Sequence, residues 1–467
     1  MQVVQNNPGV QPPVSSGGAS AYVMRISLTA ALAGFIFGFD TVVISGANLP
    51  IKELWQTSPW FHGFFIMSMA LWGTVVGAIF GGWPTQQFGR KKTLIWVGIL
   101  FTLSAFGTAF APDPYTFSFF RFLGGLGIGV SSVAAPTYIS EIATPATRGR
   151  LGALYQFNIV FGILVAFLSN YFLEGVGGEN DWRYMLGVLA IPSLIYSALV
   201  FGIPESPRWL LSDKNDRAGA KKILTQLGVA DAESEIATIE ANNRQEAAMG
   251  KPSQFFSAKY NKVIWLAFWI AFFNQASGIN FILYYAPEIL ERAGLAAKDS
   301  LFNSIAIGGT NLVFTFVGLY LIDKLGRRTL MLIGSFGYIL SLSLVAYAFY
   351  AKAGAGFLLA NLLIFIAAHA IGQGAVIWVF ISEIFPNKVR AMGQSFGAST
   401  HWVFAALITL ITPVFLDADE GIFKDNPWPI FAFFAFMMFL QLVWVLTKMP
   451  ETKGESLEEL EQKLVLH

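Results

Sequence analysis

Twelve apolar runs, each about as long as a bilayer-spanning helix, constrain the fold of this chain more than any other feature. A helix crosses the hydrocarbon core of a bilayer with about 20 apolar residues. Charged residues make up only 13% of the chain, against about 25% in soluble proteins. The sequence therefore predicts an all-α membrane protein with twelve transmembrane helices. The runs lie at 26–50, 61–83, 93–111, 115–140, 151–173, 184–203, 262–286, 300–322, 329–351, 356–382, 391–415 and 428–448.

A polar stretch in the middle of the chain separates the runs into two sets of six. We predict a disordered tail at 1–20, a six-helix bundle at 21–203, a cytoplasmic linker with short amphipathic helices at 204–260, a second bundle at 261–449 and a tail at 450–467. The first tail is rich in Pro, Gly and Ser, and it lacks the apolar core of a signal peptide. The charges of the linker indicate a solvated surface.

Short loops rich in Lys and Arg follow the second, fourth, eighth and tenth runs. Such loops stay in the cytoplasm, so we predict that this side and both termini are cytoplasmic. The chain has no Cys and no N-glycosylation sequon, which favours a bacterial inner membrane. The loop residues are Arg90, Lys91, Lys92, Arg148, Arg150, Lys324, Arg327, Arg328, Lys388 and Arg390.

A single carboxylate stands inside the first run. In "FGFDTVVISG" (37–46), Asp40 is the only charged residue between Ile26 and Ile51, where a charge costs at least about 2.5–3.5 kcal/mol. At a rise of about 1.5 Å per residue, Asp40 and Arg121 of the fourth run lie at a similar depth, so we predict that they pair. The pair is either a static packing element or a proton switch, in which protonation of Asp40 frees Arg121.

Three motifs of the first half recur in the second half in the same order, at offsets of 237, 242 and 246 residues. This recurrence predicts two homologous six-helix halves, and transporters built from such repeats bind their substrate between the halves. The pairs are "FGRKKTL" (88–94) with "LGRRTL" (325–330), "YISEIATPATRGR" (138–150) with "FISEIFPNKVRAMG" (380–393), and "PESPRWL" (204–210) with "PETKGES" (450–456).

With "RFLGGLGIGV", "QASGINFILYYAP" and "ISEIFPNKVRA", these motifs resemble sugar porters of the major facilitator superfamily over about residues 20–458. The resemblance implies rocker-switch alternating access, no cofactor and no enzymatic activity. Proton-coupled members carry Asp at the position of Asp40, whereas facilitative animal members typically carry Asn. We therefore expect uptake of a monosaccharide, a hexose such as glucose or a pentose such as xylose, with the proton as coupling ion. The alternative is a proton-independent facilitator in which Asp40 is structural.

A neutral sugar needs side chains that both donate and accept hydrogen bonds, together with aromatic faces. Amides inside apolar helices are the first candidates, Asn158 and Gln373 among them, although such amides as often join helices. Gly278 is expected to break the seventh helix and let both of its amides reach one cavity. The resemblance further implies an outer gate at Tyr284 and Tyr285. The resemblance also selects among the amides and adds four other residues, so that the predicted substrate-binding residues are Gln156, Asn274, Gln275, Asn280, Asn311, Gly374, Trp378, His401 and Trp402.

Acidic and basic residues also recur together at the cytoplasmic ends of the helices. The resemblance implies that ion pairs between these ends close the cytoplasmic side and break when it opens. The alternative is a static basic anchor. The predicted gate residues are Arg90, Glu141, Arg148, Glu205, Arg327, Glu383, Arg390 and Glu451.

The remaining features exclude other classes of function. The net charge of +1 gives no reason to expect a nucleic-acid partner, so the expected partners are a sugar and membrane lipid, with the chain as a monomer. Four scattered His and no Cys predict no metal site. "GGLGIG" (124–129) lies inside a predicted helix, where it indicates close helix packing and not a phosphate loop. Only 17 residues follow Pro450, whereas sensors of this family tend to carry long extensions.

Overall fold

All twelve predicted spans are present as helices. The computed structural model describes residues 21–144, 147–248, 255–386, 388–455 and 457–466, and its regular elements in these ranges are all helical. The predicted tail at 1–20 lies outside them. Eleven spans pass as single stretches and the second is a pair of helices bent by 44°. Spans 1 to 12 are Ala21–Trp55, Pro59–Met67 with Met69–Phe80, Arg90–Ala109, Pro114–Ile142, Arg148–Leu173, Gly178–Val200, Ala258–Arg292, Ala297–Leu325, Arg327–Tyr350, Ala355–Ile384, Arg390–Leu416 and Trp428–Thr447.

Several spans extend a turn or more beyond the apolar runs. Span 1 begins at Ala21 and ends at Trp55, so it includes Arg25 and Lys52. Long basic side chains are tolerated near the ends of a transmembrane helix, because they reach the membrane interface. Hydropathy alone therefore placed these boundaries several residues too far inward.

Span 7 is broken where the sequence predicted a break. Its first helix ends at Ala276, Gly278 has a φ of +84°, and the second helix begins at Ile279. A positive φ is readily adopted only by glycine. A Cβ at Gly278 would also lie 2.8 Å from the ring of Phe434. The predicted helix break at Gly278 is confirmed.

The glycines of "GGLGIG" let two helices pack closely. A Cβ at Gly125 would lie 1.8 Å from the carbonyl oxygen of Ala70, and one at Gly129 would lie 2.4 Å from that of Thr74. Spans 2 and 4 therefore approach each other backbone to backbone along this motif. The interpretation of the motif as a packing surface is confirmed.

Four loops carry the Arg residues of the repeated motifs, and we call the membrane side on which they lie the basic side and the opposite one the far side. On the basic side, the Glu205 carboxylate accepts hydrogen bonds from the backbone amides of Arg90 (3.0 Å) and Lys91 (3.1 Å). These amides begin span 3, and the start of a helix favours an anion. Burial raises the pKa of the Glu205 carboxyl above its ordinary value, and the backbone donors oppose that shift.

The second half repeats this arrangement. Glu451 accepts from the backbone amides of Arg327 (2.9 Å) and Arg328 (3.0 Å) at the start of span 9. In both halves a glycine of positive φ precedes the helix, Gly89 at +94° and Gly326 at +88°. The sequence repeat is thus also a structural repeat.

Changing Gly326 to Ala is expected to destabilise the protein more than the same change at Gly228. Both glycines have a positive φ, which costs about 1–2 kcal/mol for other residues. A Cβ at Gly326 would in addition lie 2.6 Å from the Glu451 carboxylate, whereas one at Gly228 would meet nothing within 4 Å. Thermal unfolding of the purified protein in detergent checks this order. Equal shifts in the two variants would contradict it.

The linker forms a small helical unit outside the spans. Its helices are Pro207–Ser212, Arg217–Gln226 and Ala232–Ala248. Exposed ion pairs join the last two, with Arg217 2.8 Å from Glu233. The side chains of this pair are exposed.

The two halves contact each other along span 1 with the second helix of span 7, span 2 with span 11, and span 5 with span 8. Several of these contacts lie toward the far side. Gly63 at the far-side start of span 2, for example, meets span 11, since a Cβ there would lie 1.9 Å from the carbonyl oxygen of Leu410. Among the described residues, no comparable set of contacts joins span 4 to span 10 or span 11. The halves are therefore closed together on the far side.

Candidate functional site

Asp40 and Arg121 form a buried ion pair inside the first half. The Arg121 Nη1 donates to Asp40 Oδ1 at 2.5 Å, and its Nη2 lies 3.5 Å from the Asp40 backbone carbonyl. The two residues are 3% and 1% exposed. Spans 1 and 4 thus bring together the two charges whose depths matched in the sequence, and the predicted pairing is confirmed.

The ion pair with Arg121 uses only one of the two carboxylate oxygens of Asp40. Asp40 Oδ2 is buried and has no hydrogen-bond partner among the described residues, and the same holds for Arg121 Nε. The phenol of Tyr284 in span 7 faces this pair and Thr41. The described residues therefore satisfy the hydrogen-bonding groups of this ion pair only in part.

Gln275 contacts other polar residues of the predicted sugar site. Its Nε2 donates to Asn274 Oδ1 at 2.9 Å and lies 3.2 and 3.3 Å from the two ring nitrogens of His401. Asn274 in turn lies 3.4 Å from Gln373 Oε1. Spans 7, 10 and 11 of the second half therefore bring four amide and imidazole groups together.

Aromatic rings adjoin these amides. The His401 ring lies 5.0 Å from that of Trp378 and 4.7 Å from that of Trp402. Trp402 also contacts Phe37 of span 1, with ring centroids 5.5 Å apart. Phe37 was absent from the sequence prediction, although it stands three residues before Asp40 and hence about one helical turn away. It connects the ion pair in the first half to the aromatic rings in the second.

Other predicted residues have polar groups that are not used by the protein. In the described ranges, no hydrogen bond is made by the side chains of Gln156, Asn280 or Asn311, which are buried or half-buried. Gly374 is half-buried in the π-helical turn Ala370–Gly374 of span 10. Asn158 instead donates to the carbonyl of Leu154 at 2.8 Å, which is the bonding of a structural amide.

The two gate tyrosines are buried between the halves and within the second half. Tyr284 is 2% exposed and faces span 1, as described above. Tyr285 is 1% exposed, and its hydroxyl donates to the Thr409 carbonyl of span 11 at 2.8 Å. Tyr285 also has non-helical backbone angles. Both side chains are thus buried where the second helix of span 7 packs against neighbouring spans.

A polar network on the far side was missed by the sequence prediction. Asn48 Nδ2 donates to the Glu288 carboxylate at 2.6 Å, which joins span 1 to span 7. His62 Nε2 lies 2.8 Å from Asn48 Oδ1, and His62 Nδ1 lies 2.8 Å from the Thr57 hydroxyl. Asn48, His62 and Glu288 are each at least nine-tenths buried. We call these four residues the far-side network.

A salt bridge accompanies the far-side network. Lys52 of span 1 pairs with Asp417 at the end of span 11. Like the hydrogen bond from Asn48 to Glu288, it crosses from the first half to the second. Polar residues near the ends of helices are common in membrane proteins, so neither contact had a distinctive sequence signal.

On the basic side, the described part of each half contains an Arg–Glu pair between helix ends. Arg90 contacts Glu141 at 2.8 and 2.9 Å, and Arg327 contacts Glu383 at 2.6 and 3.1 Å. Glu205 and Glu451 adjoin these pairs through the backbone amides described above. The sequence did predict ion pairs between helix ends.

Two other predicted gate residues lie outside these Arg–Glu pairs. Arg148 is exposed and forms no ion pair within the described ranges, while Arg390 donates to the Phe385 carbonyl at 3.2 Å. The Arg90 and Arg327 pairs each lie within one half, and they are present although spans 4 and 10 are apart. In this conformation, both pairs are thus contacts inside one half.

Comparison with known proteins gives consistent matches over nearly the whole chain. The family model of sugar (and other) transporters matches residues 26–464. The arabinose-proton symporter of Bacillus subtilis is 35% identical over 457 residues, which are 96% of this chain and 97% of that protein. The glucose facilitated diffusion protein of Zymomonas mobilis is 31% identical over 471 residues, 96% and 99% of the two chains.

A solved structure also matches. It is the xylose transporter from E. coli in a partially occluded inward-open conformation, with a TM-score of 0.82 and 30% identity. The match covers 94% of this chain and 100% of that chain.

Proposed function

The chain belongs to the sugar transporter family and has the major facilitator fold, as its motifs predicted, and from this premise we propose that it takes up a monosaccharide together with a proton. The basic side is then the cytoplasmic side, and the far side faces outward. The relatives named as arabinose-proton and D-xylose-proton symporters support this assignment. The substrate is a pentose or a hexose, and the proton is the coupling ion.

The observation that carries the proposal is the Asp40–Arg121 pair with its unpartnered oxygen. When Asp40 is ionised, it neutralises the Arg121 guanidinium. When Asp40 takes up a proton, Arg121 loses its counter-charge and span 1 is free to shift against span 4. A sugar that binds more tightly to the shifted state will then bind more tightly with the proton, because linkage is reciprocal.

Phe37 connects the proton to the sugar. It lies one turn before Asp40 and contacts Trp402, which adjoins His401 and Gln275. Movement of span 1 therefore alters the aromatic wall of the sugar site directly. The sugar hydroxyls are bound by the unused polar groups, Gln156, Asn280 and Asn311 among them.

Alternating access follows from the contacts between the halves. The far-side network and the two gate tyrosines close the outer side in the present conformation, and the two intra-half Arg–Glu pairs keep each half rigid as it rotates. Rigid-body rocking of two homologous halves around a fixed site is the usual mechanism in transporters built from repeats.

The second candidate is a proton-independent facilitator, which the name of the Zymomonas mobilis relative favours. Uptake of labelled glucose, xylose and arabinose into proteoliposomes, with and without an inward proton gradient, separates the two. We expect the gradient to drive accumulation above equilibrium and an uncoupler to abolish it. Uptake that reaches the same equilibrium level with and without the gradient would instead support the facilitator.

A further inference from the structure

A chain of buried hydrogen bonds runs from the sugar site to the opposite side of the second half. Gln275 Nε2 donates to Asn274 Oδ1 at 2.9 Å, and Asn274 Nδ2 lies 3.4 Å from Gln373 Oε1. Gln373 Nε2 donates to Gln441 Oε1 at 2.6 Å, and Gln441 Nε2 donates to Ser335 Oγ at 2.8 Å. All five residues are at most 2% exposed. We call them the amide relay.

Ser335 decides the direction of the amide relay. A hydroxyl has one proton, and the Ser335 hydroxyl donates it to the Met331 carbonyl at 2.7 Å. Ser335 Oγ must then accept from Gln441, so the Gln441 amide presents its NH₂ to Ser335 and its oxygen to Gln373. Each following amide is oriented by the one before it, since an amide has its donor and its acceptor on opposite sides.

The relay ends on an unused acceptor. The Nε2 of Gln275 donates a hydrogen bond to Asn274 and lies within hydrogen-bonding distance of the His401 ring. Its Oε1 is buried and has no partner in the described part of the chain. A buried acceptor without a hydrogen-bond donor is unfavourable. A ligand that donates a hydrogen bond to Gln275 Oε1 should therefore bind more tightly than one that does not.

We infer that Ser335 and Gln441 are positioning residues that hold Gln275 as a hydrogen-bond acceptor, so that the site selects a sugar with a hydroxyl donor at that point. The inference rests on the proposed function, because it assumes a sugar in this site. Neither Ser335 nor Gln441 touches the ligand. They act by removing the alternative orientation, in which Gln275 would present its NH₂.

Sugar analogues that carry fluorine in place of a hydroxyl distinguish the two orientations of the Gln275 amide. A fluorine in place of a hydroxyl is a weak acceptor that cannot donate, whereas a hydrogen in its place can do neither. A site that accepts from the sugar hydroxyl therefore rejects both the deoxy and the deoxyfluoro analogue. A site that donates to it rejects mainly the deoxy analogue.

The test measures binding of purified wild-type protein to monodeoxy and monodeoxyfluoro derivatives of glucose and xylose. At one ring position at least, we expect both replacements to weaken binding by about 10-fold to 100-fold. In Ser335→Ala, Gln441 loses its fixed acceptor and the relay can reverse, so the loss caused by fluorine at that position should shrink. Gln441→Leu interrupts the relay at a second point and should act in the same direction.

Ser341→Ala is the matched control. Ser341 is also a buried serine of span 9, and its hydroxyl donates to the Gly337 carbonyl at 2.7 Å. It has no bond to the amide relay, so its removal should leave the loss caused by fluorine unchanged. If loss of a buried serine hydroxyl acted only by perturbing the structure, the loss of binding caused by fluorine would change equally in Ser335→Ala and Ser341→Ala.

The outcomes separate the inference from the function on which it rests. If wild type binds none of the parent sugars, the proposed function fails. If it binds them but tolerates fluorine at every position where the deoxy analogue is weak, the inference is overturned. The inference is likewise overturned if the loss caused by fluorine is the same in wild type, Ser335→Ala and Gln441→Leu.

Discussion

Asp40→Asn is expected to abolish proton-driven accumulation of sugar and to preserve sugar exchange. Asn has nearly the shape of a protonated aspartate and cannot release a proton, so the variant stays in the uncharged state of the pair. A proton gradient of one pH unit can hold a sugar gradient of up to about tenfold at a 1:1 stoichiometry. In the variant this ratio should fall to about one, because sugar movement no longer carries a proton.

Accumulation and exchange can both be measured on the same proteoliposome preparation. Accumulation is measured with an inward proton gradient, and exchange is measured with labelled sugar outside and unlabelled sugar inside. Exchange needs no net proton movement, so it also shows that the variant is folded.

Asp113→Asn is the matched control for this experiment. Asp113 precedes span 4 and caps its first turn, since its carboxylate accepts from the backbone amides of Tyr115 and Thr116. These hydrogen bonds, with that from the Thr116 hydroxyl, lower the pKa of the Asp113 carboxyl. Asn is also a good capping residue, so accumulation should persist. Accumulation that persists in Asp40→Asn as well would place proton coupling elsewhere.

Gly63→Trp is expected to stop net transport by preventing closure of the far side. Even a Cβ at Gly63 would lie 1.9 Å from the Leu410 carbonyl oxygen of the opposite half. Added methylene groups in a packed interior typically cost about 1–3 kcal/mol, and an indole is far larger. Because the clash exists only when spans 2 and 11 are in contact, it destabilises the closed far side and not the open one.

Uptake and a distance measurement check this prediction together. The chain has no native Cys, so Ser58→Cys and Asp425→Cys introduce the only two thiols, one on each half at the exposed far side. Spin labels at these sites should be farther apart in Gly63→Trp than in the Gly63 parent. Gly82→Trp is the control, because a Cβ at Gly82 meets nothing within 4 Å. An unchanged distance together with normal uptake would refute the expectation.

The sequence was sufficient for features that depend on depth and on chain order. Hydropathy located all twelve spans, because the bilayer requires length and apolarity of every crossing segment. Charges are so rare inside the membrane that Asp40 and Arg121 left little choice of partner. Gly278 was predictable because few residues other than glycine interrupt a helix in this way.

Features that depend on how helices rotate against each other were not predictable. Asn48 and Glu288 come from opposite halves, 240 residues apart, and nothing in either segment indicates the other. Gln441 is one polar residue in an apolar helix, which is compatible with many partners. Only the packed structure shows that Gln441 accepts a hydrogen bond from Gln373. Gln373 lies in the π-helical turn Ala370–Gly374, which sets the direction of its side chain.

The gate on the basic side shows a further limit. The repeat correctly related Arg90 to Arg327 and Glu141 to Glu383, since duplicated sequences retain their internal contacts. It contained no information on which conformation the halves adopt. Contacts within a half are therefore easier to predict from a repeat than contacts that form and break between halves.

Span 1 carries both the proposed proton site, Asp40, and a residue of the far-side network, Asn48. It is one helix from Ala21 to Trp55, with Pro50 two residues beyond Asn48. The eight residues from Asp40 to Asn48 place the two about 12 Å apart along it. If span 1 tilts by about 5° around Asp40, Asn48 moves by about 1 Å. That is enough to break the 2.6 Å hydrogen bond from Asn48 to Glu288. In the proposed mechanism, movement of span 1 itself therefore links protonation of Asp40 to opening of the far side, without a relay of intervening side chains.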